Sequence, residues 1–516
     1  SLVFCGDLHW ESPPPKPGLN MSFIPYLIGG YSEGFTPRKP AEFTKNAGLD
    51  AKISITPGLN LDLTINPDFS QVEVDRQIIN LTRFSLFFPE RRNFFLENSD
   101  LFAQFGFRQI RPFFSRQIGL FQGQTVPILA GARLSGKLNR NWRIGLMDMQ
   151  TEGVQNLNLN PQNYFVAAAQ RQLKTSNIGF IFVNRQRVDR NGISPNDFNR
   201  IAGIEYNLQS KDGKWQGKGF YQHSFQPQKT RDNFTHATWL MYYTPRLFVM
   251  WNHEYVGKNF LADVGFVPRI QYFNSETRTL ERLSYWRLEP EVSWKWFPKS
   301  KRINNFGPGI YADIYLDSAF AFSETHYNPY FRVKFQNSAE LSFDGHLYFT
   351  KLFFATNVTG IGVIPFPAGD YRYQSIGFRF TSNARKKLNY QVIAKRGTFY
   401  MGEEFSYNLS VNYRLQPWSI FSLTVDRYEL KFPEPYTNSF LTLIGPRIDL
   451  TLSKQLFLST FLQYNTQAEN VNLNTRFQWR FRPMSDLFIV YSDNYNPYFN
   501  VKNHALVIKF VWWLSI

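Results

Sequence analysis

From about residue 127 to the last residue, polarity alternates at every second position through about twenty segments of about ten residues, with no helical period between them. Leu473 to Phe481 shows it most clearly. Leu473, Thr475, Phe477, Trp479 and Phe481 fall on one face, and Asn474, Arg476, Gln478 and Arg480 on the other. A strand sends successive side chains to opposite faces, so one face of this segment meets an apolar medium and the other meets water. A soluble antiparallel sheet alternates in the same way locally, but few soluble folds sustain it for so long, and no blade-length repeat marks a propeller. The pattern predicts an all-β fold, a large antiparallel transmembrane β-barrel. The last strand places Leu506, Ile508, Phe510, Trp512 and Leu514 on one face and Lys509 and Ser515 on the other, and ends in Ile516 where such barrels usually end in Phe.

Composition supports this reading. Aromatic residues make up 18% of the 516, yet mean hydropathy is −0.35. Alternating lipid-facing and lumen-facing positions with aromatic girdles account for both figures. No run of about 18 apolar residues exists, so a transmembrane helix is excluded. The start lacks the basic and apolar regions of a signal peptide, and the opening Ser1 reads as a mature or trimmed end. The single cysteine, Cys5, rules out a disulfide framework. The net charge of +17 comes from basic residues dispersed singly, without the block, finger or recognition helix that nucleic acid would require. Lumen lining, turns, and attraction to anionic lipid and lipopolysaccharide headgroups explain it.

Link lengths set the orientation. "RPMSD" (482–486), "LSKQ" (452–455), "LQPW" (415–418) and "NARKK" (383–387) are compact, and the links between them are longer. Short turns belong to the periplasmic side, which places both termini there. About 25 strand candidates appear, but matched termini need an even number, so the expectation is about 24 strands with 26 as the alternative. The doubtful stretch is 258–298. Residues 1–20 read as a remnant or linker, 21–67 as the first strands and 127–516 as the rest of the barrel.

Residues 68–126 break the rhythm. A structureless loop of this length is uncommon unless functional, and a wide lumen left open would leak, so the segment is expected to be an internal plug or cap. Its charges, Asp68, Glu73, Asp75, Arg76, Glu90, Arg91 and Arg92, are expected to tie plug to wall or to line the lumen. Glu73 and Asp75 also lie two apart, so on a strand they would share a face, as the paired carboxylates of a glycosidase require.

The same stretch, "NPDFSQVEVDRQIINLTRFSLFFPERRNFFLENSDLF", resembles the hallmark of a Bacteroidota outer-membrane β-barrel family of unknown function. "IPYLIGGY", "AGLDAKISITPGLNLDLTINPDF", "FFSRQIGL" and "GARLSGKLNRNWRIGLMD" match in order, so the similarity covers most of the chain. Members usually carry a family-nine carbohydrate-binding-like module ahead of the barrel; here only a remnant, "SLVFCGDLHW", stands in its place. The resemblance implies location and architecture, and brings no catalytic residues with it.

No cofactor or metal is expected. The seven histidines (9, 223, 236, 253, 326, 346, 504) show no ligand spacing. Ser115 has no nucleophile-elbow glycines around it. Gly29, Gly30 and Gly131 sit in strand contexts, where glycine relieves crowding. Three functions follow in order: a plugged channel, transport or export component of the outer membrane; a structural subunit of a larger outer-membrane complex, with outer-membrane or periplasmic protein partners; and a glycan hydrolase using Glu73 and Asp75.

Overall fold

The computed structural model describes residues 11–12, 20–35, 38–67, 75–189, 192–362 and 364–516. One sheet of 26 hydrogen-bonded segments closes on itself, and because two strands are interrupted it is an antiparallel barrel of 24 strands. Each strand pairs with its neighbours in sequence. The last, Val501–Val511, completes the cylinder against the first, Met21–Phe35, with Phe510 opposite Leu27 and Leu506 opposite Tyr31. Closure gives every strand a neighbour on both sides over the body of the wall, the arrangement that lets a sheet stand in a medium without hydrogen-bonding partners.

The alternation read from the sequence is the alternation of the two wall faces. Leu456, Leu458 and Leu462 lie directly opposite Trp479, Phe477 and Leu473 on the outer face, and Leu487 and Ile489 lie opposite Phe510 and Ile508. Large apolar side chains on this face are open, Ile376 at 73% and Leu27 at 60%. The even number of strands brings both ends of the chain to one rim, where Phe23 pairs with Leu514. The compact turns predicted from sequence lie at that rim.

The doubtful stretch resolves into loop plus one broken strand. Residues 257–284 carry a short 3-10 turn, Pro268–Ile270, and a small hairpin, Gln271–Asn274 with Thr279–Arg282. The next wall strand is split into Tyr285–Leu288 and Glu291–Trp294. Pro290 has no N–H to give the ladder, which accounts for the break. Pairing continues around it, since Asn252 and Glu289 exchange backbone hydrogen bonds of 3.1 and 2.9 Å.

Candidate functional site

The chain leaves the wall after the third strand, Leu59–Ile65, and rejoins it at Ile128–Lys137. These two strands pair with each other, Ile65 opposite Ala130, so the cylinder is intact where the insertion departs. Between Asp75 and Val126 the insertion contains two short helices, Asn93–Leu96 and Asp100–Ala103, and a small hairpin, Leu120–Phe121 with Gln124–Thr125. Helices this short are not self-sustaining, so packing must hold them.

That packing is apolar and one-sided. Phe94, Phe95, Leu101, Phe102, Phe105, Ile110, Phe113 and Ile118 join one buried cluster with wall residues, among them Met147, Met149, Val166, Ile181, Ile201 and Val256. These wall residues lie on the face opposite Leu146, Phe180 and Ile204, which point outward and are exposed. Glycines shape the seat. A Cβ on Gly203 would fall 3.1 Å from the Phe105 ring, and one on Gly179 3.5 Å from it. The loop 257–284 closes over the insertion, exchanging backbone hydrogen bonds of 3.1 and 3.0 Å between Arg111 and Phe266 and burying Phe260 and Val264. Burial of eight large apolar side chains is worth on the order of 10–20 kcal/mol before ordering entropy is subtracted. The half-exposed ion pair of Asp100 with Arg143, 2.7 Å, adds about 1 kcal/mol or less. Apolar contact dominates.

Polar contacts show how far the insertion reaches. Glu97 pairs with Lys52 and accepts from Asn60 at 3.0 Å, and Asn98 donates to Ser135 at 3.2 Å, both close to the rim that holds the termini. Lys218 donates to the carbonyls of Gln104 and Gly106, at 2.6 and 3.2 Å. Near the other rim, Gln77 N–H donates to Gln463 at 3.2 Å, and Asn80 and Gln467 exchange bonds of 2.8 and 2.9 Å. There Ile79 packs against Leu441 and Leu443. Arg83 pairs with Glu324, whose other oxygen takes Arg269 of the loop at 3.0 Å.

The residues singled out in the sequence are distributed as follows. Asp68 and Glu73 lie outside the described residues. Asp75 pairs with Arg91 at 3.0 Å and with Arg116, both within the insertion. Glu90 accepts from Arg92 at 2.9 and 2.7 Å and from the Ser115 hydroxyl at 2.7 Å. Burial pushes the Glu90 carboxyl up, but the hydrogen bonds and charge of Arg92 outweigh it and hold the group below the usual carboxylate range. Arg92 also donates to the carbonyls of Ile118 and Ser115, at 2.8 and 2.6 Å, tying the first helix to the short turn at Ser115–Gln117. Arg76 and Arg91 face Arg447 and Arg476 across a cavity of about 90 Å³. Among the described residues, charged wall groups that meet the insertion include Lys52, Arg143, Lys218 and Glu324, which sequence reading did not single out. A signal for the seat existed: Ile144 and Leu146 alternate with Gly145, Met147 and Met149, so that strand is apolar on both faces, the mark of a strand covered on both sides.

The opposite stretch of inner wall is different. From Ser342 round to Gln478 the inner wall buries Leu352, Phe399, Leu430, Leu441 and Leu443 with Leu81 and Ile79 toward the rim away from the termini, and below that level carries Arg379, Ser406, Asn408, Asn412, Asp426 and Asn474, a polar face. Among the described residues no group of three His, Cys, Asp or Glu could hold a metal. Two histidine pairs unpredicted by spacing do form, His326 with His346 at 3.0 Å on the inner face and His236 with His253 at 3.3 Å on the outer.

A family model described as a domain of unknown function, DUF5916, matches residues 17–431. The chain belongs to the DUF5916 family. No curated protein matches this DUF5916 chain. Among solved structures, the siderophore receptor PirA from Pseudomonas aeruginosa is similar at 8% identity, covering 96% of this chain and 81% of its own, with a TM-score of 0.43. PirA from Acinetobacter baumannii gives 8%, 95%, 80% and 0.42. The ferric yersiniabactin uptake receptor FyuA from Yersinia pestis gives 8%, 98%, 81% and 0.40. Likeness this distant transfers neither ligand nor partner to the DUF5916 barrel, whose architecture rests on its own strand pairing.

Proposed function

We propose that this protein is an outer-membrane barrel with both termini in the periplasm, that residues 68–126 plug its lumen, and that it works as a transport or export component. The motif resemblance supports a Bacteroidota outer membrane as its location. One observation carries the reading: the two halves of the inner wall are unlike. The half from Ile128 to Tyr315 offers Met, Val, Ile and Phe to the helical part of the insertion, while the half from Ser342 to Gln478 is apolar only toward the rim away from the termini, where Leu441 and Leu443 meet Ile79, and elsewhere offers Ser, Asn, Asp and Arg. A lumen filled for structural reasons alone has no need of a polar side. An off-centre plug leaves a hydrated strip along the polar half, and charged and amide side chains there suit the passage of polar solutes.

Planar-bilayer recording tests this. Replacing residues 68–126 by a tight turn joins strands that are already neighbours, about 4.8 Å apart. The shortened barrel should conduct strongly and the intact chain weakly and intermittently. A shortened barrel that folds, inserts and stays silent would remove the plug reading. The apolar seat favours a second reading, a permanently filled structural subunit; copurification of a stoichiometric partner with an intact chain that never conducts would select it.

A further inference from the structure

The second strand, Arg38–Thr56, has 19 residues and is unequally paired on its two sides. On one side it is matched to Met21–Phe35 up to the hairpin tip. On the other its partner, Leu59–Ile65, has seven residues, and the pairing stops at Leu49 opposite Ile65. At Asn66 the backbone turns into the left-handed region, φ 50°, and the chain leaves the wall. Among the described residues, Arg38–Gly48 therefore has no strand on that side. Asn66 Nδ2 donates to the Ala47 carbonyl at 2.7 Å. The backbone groups of Ala47 thus face the open side, and by strand alternation those of Lys45 and Phe43 do too. Every residue from Arg38 to Ala47 is exposed, Phe43 at 75%.

An open edge is a template for a further strand. This one is guarded against its own kind. Arg38, Lys39 and Lys45 outnumber Glu42, so two copies would bring like charges together, and a bulge between Ser32 and Gly34 skews the tip. The same cations favour a strand of opposite charge. We propose that this edge docks an extended, acidic segment of a partner polypeptide, added as a strand beside residues 43–47. Main-chain hydrogen bonds supply the affinity. Lys45 and Phe43, two apart and on one face, select a carboxylate and an apolar side chain at the same spacing in the partner. The inference is independent of whether the lumen conducts.

Fluorescence anisotropy on the detergent-purified full chain provides the test, with three synthetic probes of about nine residues. One alternates Val with Glu, the second is the same peptide N-methylated at every other backbone nitrogen, and the third has Lys for Glu. The acidic peptide should bind saturably, its N-methylated form should not, and the Lys form should be weaker by about tenfold or more. Lys45→Glu should reverse the charge preference, and Phe43→Pro, which removes an edge N–H, should abolish binding while the heat-modifiable mobility of a folded barrel is kept. Equal binding of the N-methylated probe would reduce the contact to unspecific charge attraction and overturn the proposal, as would no binding of the acidic probe. In a Cys5→Ser background, a Lys45→Cys disulfide between copies, or a crosslink from Lys45→Cys to Gln71→Cys within one chain, would assign the edge to another occupant and also overturn it.

Discussion

The ring of Phe102 lies directly over Gly145, where an added methyl carbon would fall 2.5 Å from Cζ. No side chain fits between insertion and wall at that point. Gly145→Leu should therefore force the ring out at a cost of about 1–3 kcal/mol. The loss belongs to the insertion and not to the cylinder: hydrogen exchange of residues 93–118 should quicken while the strand amides stay protected. Unchanged exchange would show that the ring is not seated there.

Glu324 is shared by Arg83 of the insertion and Arg269 of the loop, and the side chains are 17%, 9% and 17% exposed. Glu324→Gln strands two buried guanidiniums, which costs about 3–5 kcal/mol. Proteolysis after Arg83 should accelerate, and single-channel recordings should show openings that the parent lacks. If Arg83→Met in the same chain restores the parental behaviour in part, the cost comes from the uncompensated cations and not from altered packing.

Glu90 supplies a pH dependence. Its folded pKa lies below the ordinary carboxyl value of 4.5, so its contribution to the insertion is complete above that value and is lost as the pH falls through the depressed folded value. Hydrogen exchange of residues 90–118, corrected for the intrinsic rate, should rise on acidification below about pH 4.5. Glu90→Gln should flatten that dependence and leave the exchange raised at neutral pH.

The polar half of the lumen predicts a conditional effect. In a barrel lacking residues 68–126, Arg379→Glu combined with Lys395→Glu should shift reversal potentials toward cation selectivity. In the intact chain the same pair should change little if residues 68–126 plug the lumen as proposed. An equal shift in both would mean that ions bypass the insertion.

The wall was legible because its rule is local. Leu473 to Phe481 alternates whatever the neighbouring strands do, and the pairing of Leu473 with Leu462 and Phe477 with Leu458 only repeats that rule across the ladder. Even the strand count followed from local signals once parity was imposed, with Pro290 breaking the one strand in the doubtful stretch. The insertion obeys no period. Arg83 meets Glu324 across 241 residues of sequence, and such a pair becomes visible only when closure of the cylinder sets its two carriers side by side. In "PERRNFF", Glu90 and Arg92 pair with each other inside the insertion, while Glu97 and Asp100, which like Arg83 reach the wall, sit at helix ends where nothing in the sequence marks them.

The insertion is attached to the chain at one rim only, yet Glu97, Asn98 and Asp100 touch the wall close to the other. In mechanical terms this makes direction matter. A pull on residues 97–106 along the barrel axis loads the Phe94–Ile118 contacts together, in shear, and must break many at once. A pull from the attached end peels the same contacts one after another at far lower force. If the insertion is the plug proposed above, it resists being drawn out through the terminal side and yields more readily toward the loops, so the direction of the pull decides the force needed to clear the lumen.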